Sequence, residues 1–244
     1  MKEGKLILFG IVCVGVFFLD AQSNQAQTLN ANTNGQITLN VDTDGGGIVD
    51  PPTEGGGGTI VPPVIPPVVG DKDLALIYYP TFDFGTHDYT GAAAKYYAQP
   101  LTGTVEGVSV VRPQFVQVRN SSSVSQWNLK VTASQFIAQN GKNTSIPGML
   151  MTLNDVNKTN NTENGGSAIV ANQTLPLTPG QAQTIGTYNN TGITGTSRNS
   201  FMFGMPGNVT AENYQGVQLD IPGSLELENA KYLANITWTL ADTL

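Results

Sequence analysis

Tyr232-Leu233-Ala234-Asn235-Ile236-Thr237-Trp238-Thr239-Leu240 decides how the rest of the chain is read. From Asn235 onward it alternates. Ile236, Trp238 and Leu240 fall on one side of an extended chain, and Asn235, Thr237 and Thr239 on the other. β-Branched and aromatic residues at period two predict a half-buried strand. An earlier segment, Trp127-Asn128-Leu129-Lys130-Val131, has the same grammar. Trp127, Leu129 and Val131 share one face, with Asn128 and Lys130 on the other. These segments hold both tryptophans of the chain, each in Trp-x-Leu.

Short runs of similar character surround them: Leu74 to Tyr79, Phe82 to Phe84, Val108 to Val118 broken at Pro113, Met149 to Leu153, Ala168 to Ala171, Gln183 to Tyr188, Phe201 to Met205 and Val217 to Ile221. Pro113 lacks an N–H and marks an edge or a bulge. Asn120-Ser121-Ser122-Ser123 reads as a turn, which predicts that Val116 to Arg119 pairs antiparallel with the Trp127 strand. Phe136 to Asn143 reads as a less regular connection, and Asn154 to Gly166 as a polar loop. Ala92-Ala93-Ala94-Lys95 favours a short helical turn within Asp88 to Tyr97. Many short strands between Gly, Pro and Asn turns, without βαβ alternation, predict an all-β fold. The expectation is a single antiparallel β-sandwich or barrel-like domain of Greek-key type over residues 71–244, preceded by a disordered tether.

The tether covers residues 27–70. It is rich in Asn, Gln and Thr, then carries Gly45-Gly46-Gly47, Gly55 to Gly58 and the proline pairs of Val61 to Val68. Such glycine runs are flexible and such proline pairs favour extended polyproline II. At most one short strand is expected, around Ile37 to Val41. Residues 1–26 read as a secretory signal: Lys2 and Lys5, the apolar run Leu6 to Leu19, then small residues offering cleavage after Ser23 or Ala26. Cys13, the only cysteine, lies inside that run, so neither a lipid anchor at the end of the run nor a disulfide in the mature chain is expected. The balance is acidic, 18 Asp+Glu against 11 Lys+Arg. Nucleic-acid binding needs clustered cations and is therefore not expected.

The residues also match a family. Trp127-Asn128-Leu129-Lys130-Val131-Thr132 followed by Phe136 resembles the proximal motif of WxL-domain surface proteins of low-GC Gram-positive bacteria. Tyr232-x-x-x-Ile236-Thr237-Trp238-Thr239-Leu240 resembles the distal motif, with Ile236 where Leu is usual and the ending Ala241-Asp242-Thr243-Leu244 in place of the family's common terminal proline. Phe82-Asp83-Phe84-Gly85 resembles the family's early Phe-Gly segment, and Leu219-Asp220-Ile221-Pro222 stands where a Val-Pro stretch usually precedes the last strand. The resemblance implies a secreted protein attached non-covalently to the bacterial cell wall, with peptidoglycan as ligand. It also implies partnership with a membrane-anchored surface protein that binds WxL domains. The alternative is a structural or adhesin subunit assembled by contacts with surface-protein or host extracellular-matrix partners, its tether adding a strand to a neighbour.

Two groups of residues are candidates for binding. The motif residues Trp127, Leu129, Trp238 and Leu240 either stack on sugar rings or form core. Their alternation favours the core, because the apolar face of a one-sided strand is the buried one. The outward residues Asn128, Lys130, Thr237 and Thr239 are then the binding candidates, with Lys130 suited to wall carboxylates. Tyr96, Tyr97 and Tyr188 are further stacking candidates.

No catalytic site, metal or cofactor is expected. His87-Asp88 lacks a cysteine nucleophile or a Gly-x-Ser-x-Gly elbow, and one histidine supplies no zinc cluster. Asp83 with Asp88, and Glu226 with Glu228, are carboxylate pairs of an ordinary kind. Asp42-Thr43-Asp44-Gly45 begins like a calcium loop, but Gly46 and Thr53 stand where acidic ligands belong.

Overall fold

A computed structural model describes the backbone of residues 28–32, Ile48, and residues 58–142, 144–162, 168–189, 195–205 and 209–242. The strands, in chain order, are β1 (Thr28–Asn32), β2 (Ile60–Val61), β3 (Val69–Gly70), β4 (Leu74–Tyr78), β5 (Ala94–Tyr97), β6 (Leu101–Val105), β7 (Val108–Arg112), β8 (Gln114–Ser121), β9 (Gln126–Ala133) and β10 (Phe136–Ala138). They continue with β11 (Ser145–Ile146), β12 (Leu150–Leu153), β13 (Asn157–Thr162), β14 (Ile169–Val170), β15 (Leu175–Leu177), β16 (Gln183–Asn189), β17 (Thr196–Phe203), β18 (Val217–Ile221), β19 (Tyr232–Leu233) and β20 (Ile236–Asp242). Every pairing between them is antiparallel. The fold is all-β, with no helix among the described residues.

Two five-stranded sheets form the sandwich. One has the order β1-β20-β9-β16-β14 and the other β13-β17-β8-β4-β3. Their facing side chains make the main core: Trp127, Leu129, Val131, Ile185, Tyr188, Trp238 and Leu240 from the first, and Leu74, Leu76, Val116, Val118, Phe201 and Phe203 from the second. The sheet β15-β12-β18-β5 extends this core through Met151, Leu153, Leu175, Leu177, Val217 and Leu219. A third layer, β2-β6-β7, lies on the far side of β8. There Ile48, Ile60, Tyr78, Leu101, Phe115 and Met202 form a second, smaller core. β8 is therefore buried on both faces, Val116 and Val118 toward one core and Phe115 toward the other.

That position explains one correction. β8 does not pair with β9. It pairs with β17 and β4, while β9 pairs with β20 and β16. The Ser121–Gln126 connection arches between the two sheets. This arch is pinned from outside. Ser121 and Ser123 donate their hydroxyls to Asp73 Oδ1 at 2.8 and 3.1 Å, and the Ser121 N–H donates to the Asp73 carbonyl at 2.8 Å. Within the sandwich, Asn199 donates to Asn120 Oδ1 at 3.2 Å and to Ser197 Oγ at 2.9 Å, and its Oδ1 accepts from the Ala168 N–H at 3.0 Å. These fully buried polar groups are thus satisfied by one another.

Other expectations change. The segment Asp88 to Tyr97 has no helical turn: Ala94 to Tyr97 pairs with β18, and tertiary pairing overrides the helical preference of the alanines. Much of Asn154 to Gly166 is not loop but β13, held by its register with β17 rather than by apolar residues of its own. Within the stretch read as tether, β1 pairs with β20, β2 with β6 and β3 with β4, and Ile48 is buried. Regular structure therefore begins before residue 71. The leader, the strand expected at Ile37 to Val41 and the calcium-like Asp42 and Asp44 lie outside the described residues.

Candidate functional site

The two Trp-x-Leu segments lie on neighbouring strands. β20 runs antiparallel to β9 with Leu240 opposite Leu129, Trp238 opposite Val131, Thr239 opposite Lys130 and Thr237 opposite Thr132. Trp127 is 1% exposed, and Leu129, Trp238 and Leu240 are 0% exposed. All four point into the sandwich.

Each tryptophan sits in an aromatic cluster. Trp127 stacks on Tyr188 with centroids 5.3 Å apart and planes 5° from parallel, and meets Phe201 edge-on at 6.3 Å. Trp238 stacks on Phe203 at 6.1 Å and meets Phe82 edge-on at 6.5 Å. Phe201 and Phe203 come from the opposite sheet, so the clusters bolt the two sheets together. Tyr188 is 2% exposed and is removed as a stacking platform; burial pushes its hydroxyl above the ordinary tyrosine range.

The other family-like segments serve the same core. Phe82 and Phe84 pack on it. Between them, Asp83 Oδ1 accepts from the Gly85 N–H at 2.9 Å, and Gly85 has φ +78°, which favours glycine. Tyr232 works at the surface. Its hydroxyl donates to the Glu228 carbonyl at 2.7 Å and accepts from the Glu228 N–H at 2.9 Å. The Glu228 carboxylate pairs with Lys142 at 2.7 Å and also accepts from Asn140. The Lys142 hydrogen bond, with its charge, holds that carboxyl below its usual range. Tyr232 thereby ties the approach to β20 to the turn after β10.

What remains for contact is the outward face. Lys130 stands between Thr184 and Thr239, Asn128 between Thr187 and Ala241, and Thr132 beside Thr237. Asn128, Lys130, Thr132, Thr184, Thr237 and Thr239 are half-buried and Thr187 is exposed. Lys130 forms no ion pair with a described residue. Same-face neighbours on one strand are about 7 Å apart and adjacent strands about 4.8 Å apart. The result is a polar field, roughly 14 Å by 10 Å, rich in hydroxyls, with one amide and one ammonium. The structure thus brings all four outward candidates together. It adds Thr132, which the period-two pattern would have reached one step further on. Thr184 and Thr187 carried no local signal, because the pairing of β16 with β9 spans much of the domain.

The remaining candidates lie elsewhere. Tyr96 and Tyr97 are half-buried on β5 in another sheet, and Tyr96 stacks on His87 at 3.9 Å. Nε2 of His87 lies 2.5 Å from the Phe84 carbonyl. Glu226 and Glu228 are on no strand. Among the described residues, no three His, Cys, Asp or Glu side chains gather where they could hold a metal ion.

Fold and face together define an all-β module with a packed aromatic interior and a polar outer sheet face. Residues 26–243 match the model of the WxL domain surface cell wall-binding family. The chain belongs to that family, and its place is the cell surface and cell wall. No curated protein and no solved structure matches it.

Proposed function

We propose that this chain attaches non-covalently to the cell wall by binding peptidoglycan through the outward face of β9 and β20, within a cell-surface complex that includes a membrane-anchored protein. The observation that carries this reading is the in-register polar field of Asn128, Lys130, Thr132, Thr237 and Thr239, backed by the buried Trp-x-Leu residues on its reverse. Glycan strands offer hydroxyls and N-acetyl amides, and stem peptides offer carboxylates. Threonine and asparagine match the former and Lys130 the latter. The chain acts as a binding module rather than an enzyme, and it reaches the surface by export through residues 1–26.

The test is co-sedimentation of the exported chain with purified sacculi. Lys130→Glu should lower wall-bound protein about tenfold, the effect of losing one favourable charged contact, while circular dichroism and Tm stay at the parent values. The reading fails if the parent chain does not sediment with sacculi, or if charge reversal at Lys130 leaves sedimentation unchanged.

A second reading, a subunit assembled by protein contacts, draws on β7. Its outer edge pairs with no described strand, and Val108 on it is 66% exposed. Such an edge is a template for strand addition. Cross-linking of Val108→Lys against the parent on intact cells tests it: equal yields of cross-linked partner would count against it.

A further inference from the structure

We propose that β1 is an exchangeable strand, and that two copies of this chain associate by each placing residues 28–32 against β20 of the other. The proposal goes beyond the wall-binding reading and does not depend on it.

β1 has one hydrogen-bonded partner, although it also touches β3. Thr28 to Asn32 stand opposite Ala241 to Thr237 in unbroken antiparallel register, and among the described residues β20 is the only strand β1 pairs with. It closes one edge of the sheet that carries both Trp-x-Leu segments. β20, by contrast, is fixed on its other side along its whole length by β9, from Ile236 opposite Ala133 to Asp242 opposite Trp127. The docking edge is therefore built without β1.

The next anchored point in the chain is Ile48. It is buried in the second core, and its carbonyl accepts the Ile60 N–H at 2.8 Å. Residues 33–47 separate β1 from this anchor and end in Gly45-Gly46-Gly47. That many residues can span about 50 Å. A compact domain of this size has a radius of gyration of about 16 Å. The connector can therefore deliver β1 to its own β20 or to that of an adjoining copy. The strand makes the same hydrogen bonds in either place. A reciprocal exchange is two-fold symmetric, closes on itself and leaves neither β20 edge bare. The choice is set by concentration: a neighbour competes when its local concentration approaches the roughly millimolar effective concentration of a tethered strand. A protein crowded on a surface meets that condition more readily than a dilute one.

The test uses engineered thiols in the exported chain carrying Cys13→Ser. Positions 28 and 241, substituted as Thr28→Cys and Ala241→Cys, stand directly opposite each other, at a separation a disulfide can bridge. In the double variant, cis pairing gives an intramolecular disulfide and exchange gives a covalent dimer on a non-reducing gel. The ratio of dimer to monomer should rise about tenfold for each tenfold rise in concentration while dimer is the minor species. Mixing the two single variants should yield a mixed dimer, one copy carrying T28C and the other A241C, identified by mass. The proposal is overturned if the disulfide stays intramolecular at every concentration and the mixed dimer is absent. It is equally overturned if no disulfide forms, since β1 would then not occupy the β20 edge.

Discussion

Replacing Trp238 by Phe separates the two possible roles of the motif tryptophan. The indole is fully buried, packed between Phe203 and Phe82. Phe removes about 50 Å² of the 150–250 Å² that an aromatic side chain buries, a loss of about 1.2 kcal/mol at 25 cal/mol per Å². A residual cavity of about 30 Å³ adds about 0.7 kcal/mol. Against this, Nε1 of Trp238 makes no hydrogen bond with a described residue. Removing a buried, unpartnered N–H recovers about 1–3 kcal/mol. The net change lies between about 1 kcal/mol of destabilisation and about 1 kcal/mol of stabilisation, small beside a typical domain stability of about 5–15 kcal/mol. Trp238→Ala, which lacks the ring, should cost about 3–5 kcal/mol. Urea unfolding followed by far-UV circular dichroism measures both stabilities, and sacculus co-sedimentation, normalised to folded protein, measures binding. Trp238→Phe should bind as the parent does. A Trp238→Phe protein that is folded, as stable as the parent and unable to bind the wall would refute the argument, because the indole would then have to touch the ligand.

Three further perturbations probe the frame behind the face. Gly186→Ala would set a Cβ 2.2 Å from the Phe201 ring and 2.8 Å from the Ile169 carbonyl; overpacking of that severity costs about 3 kcal/mol and should lower Tm by roughly 10 °C in a thermal melt. Asp73 is held below the usual carboxyl range by its hydrogen bonds to Lys72 and then to Ser121, so its contribution is present above the unfolded pKa and lost as pH falls through the lower folded one. Melts of Asp73→Asn and the parent should differ modestly at pH 7 and converge below about pH 3. Burial raises the pKa of Asp242, whose Oδ1 makes no hydrogen bond with a described residue; the folded state then disfavours its charge at neutral pH, and the disadvantage disappears as pH falls below the unfolded value. Asp242→Asn should raise Tm by roughly 1–2 °C at pH 7, and the gain should vanish near about pH 3.

Parts of the fold were legible because they are local. β9 and β20 show one buried face each, so side-chain alternation reports them directly, and Pro113 marks the break between β7 and β8. Other elements are set by neighbours. β8 is buried on both sides by layers far away in sequence, so its run of Phe, Val and Gln does not reveal that it belongs to the other sheet. β13, Asn157-Lys158-Thr159-Asn160-Asn161-Thr162, has no apolar residue and exists through its register with β17. β5 is a strand despite its alanine, because β18 supplies the hydrogen bonds. The same division holds at the candidate site. Asn128, Lys130, Thr237 and Thr239 follow from alternation on their own strands. Thr184 and Thr187 join them only through a non-local pairing with a bulge between Thr184 and Gly186.

The inward motif and the outward face are two consequences of one register. Side chains alternate at period two, so a one-residue slip of either strand would turn its whole set over. A slip in β20 would carry Trp238 and Leu240 to the surface and bury Thr237 and Thr239. A slip in β9 would bury Lys130 without a counter-charge, at a cost of several kcal/mol. The tryptophans pack against Phe201, Phe203, Phe82 and Tyr188, and a slipped pairing would forfeit those contacts. Trp127 and Trp238 can therefore be indispensable to the proposed binding face without reaching it, by fixing which residues of β9 and β20 look outward and at what spacing.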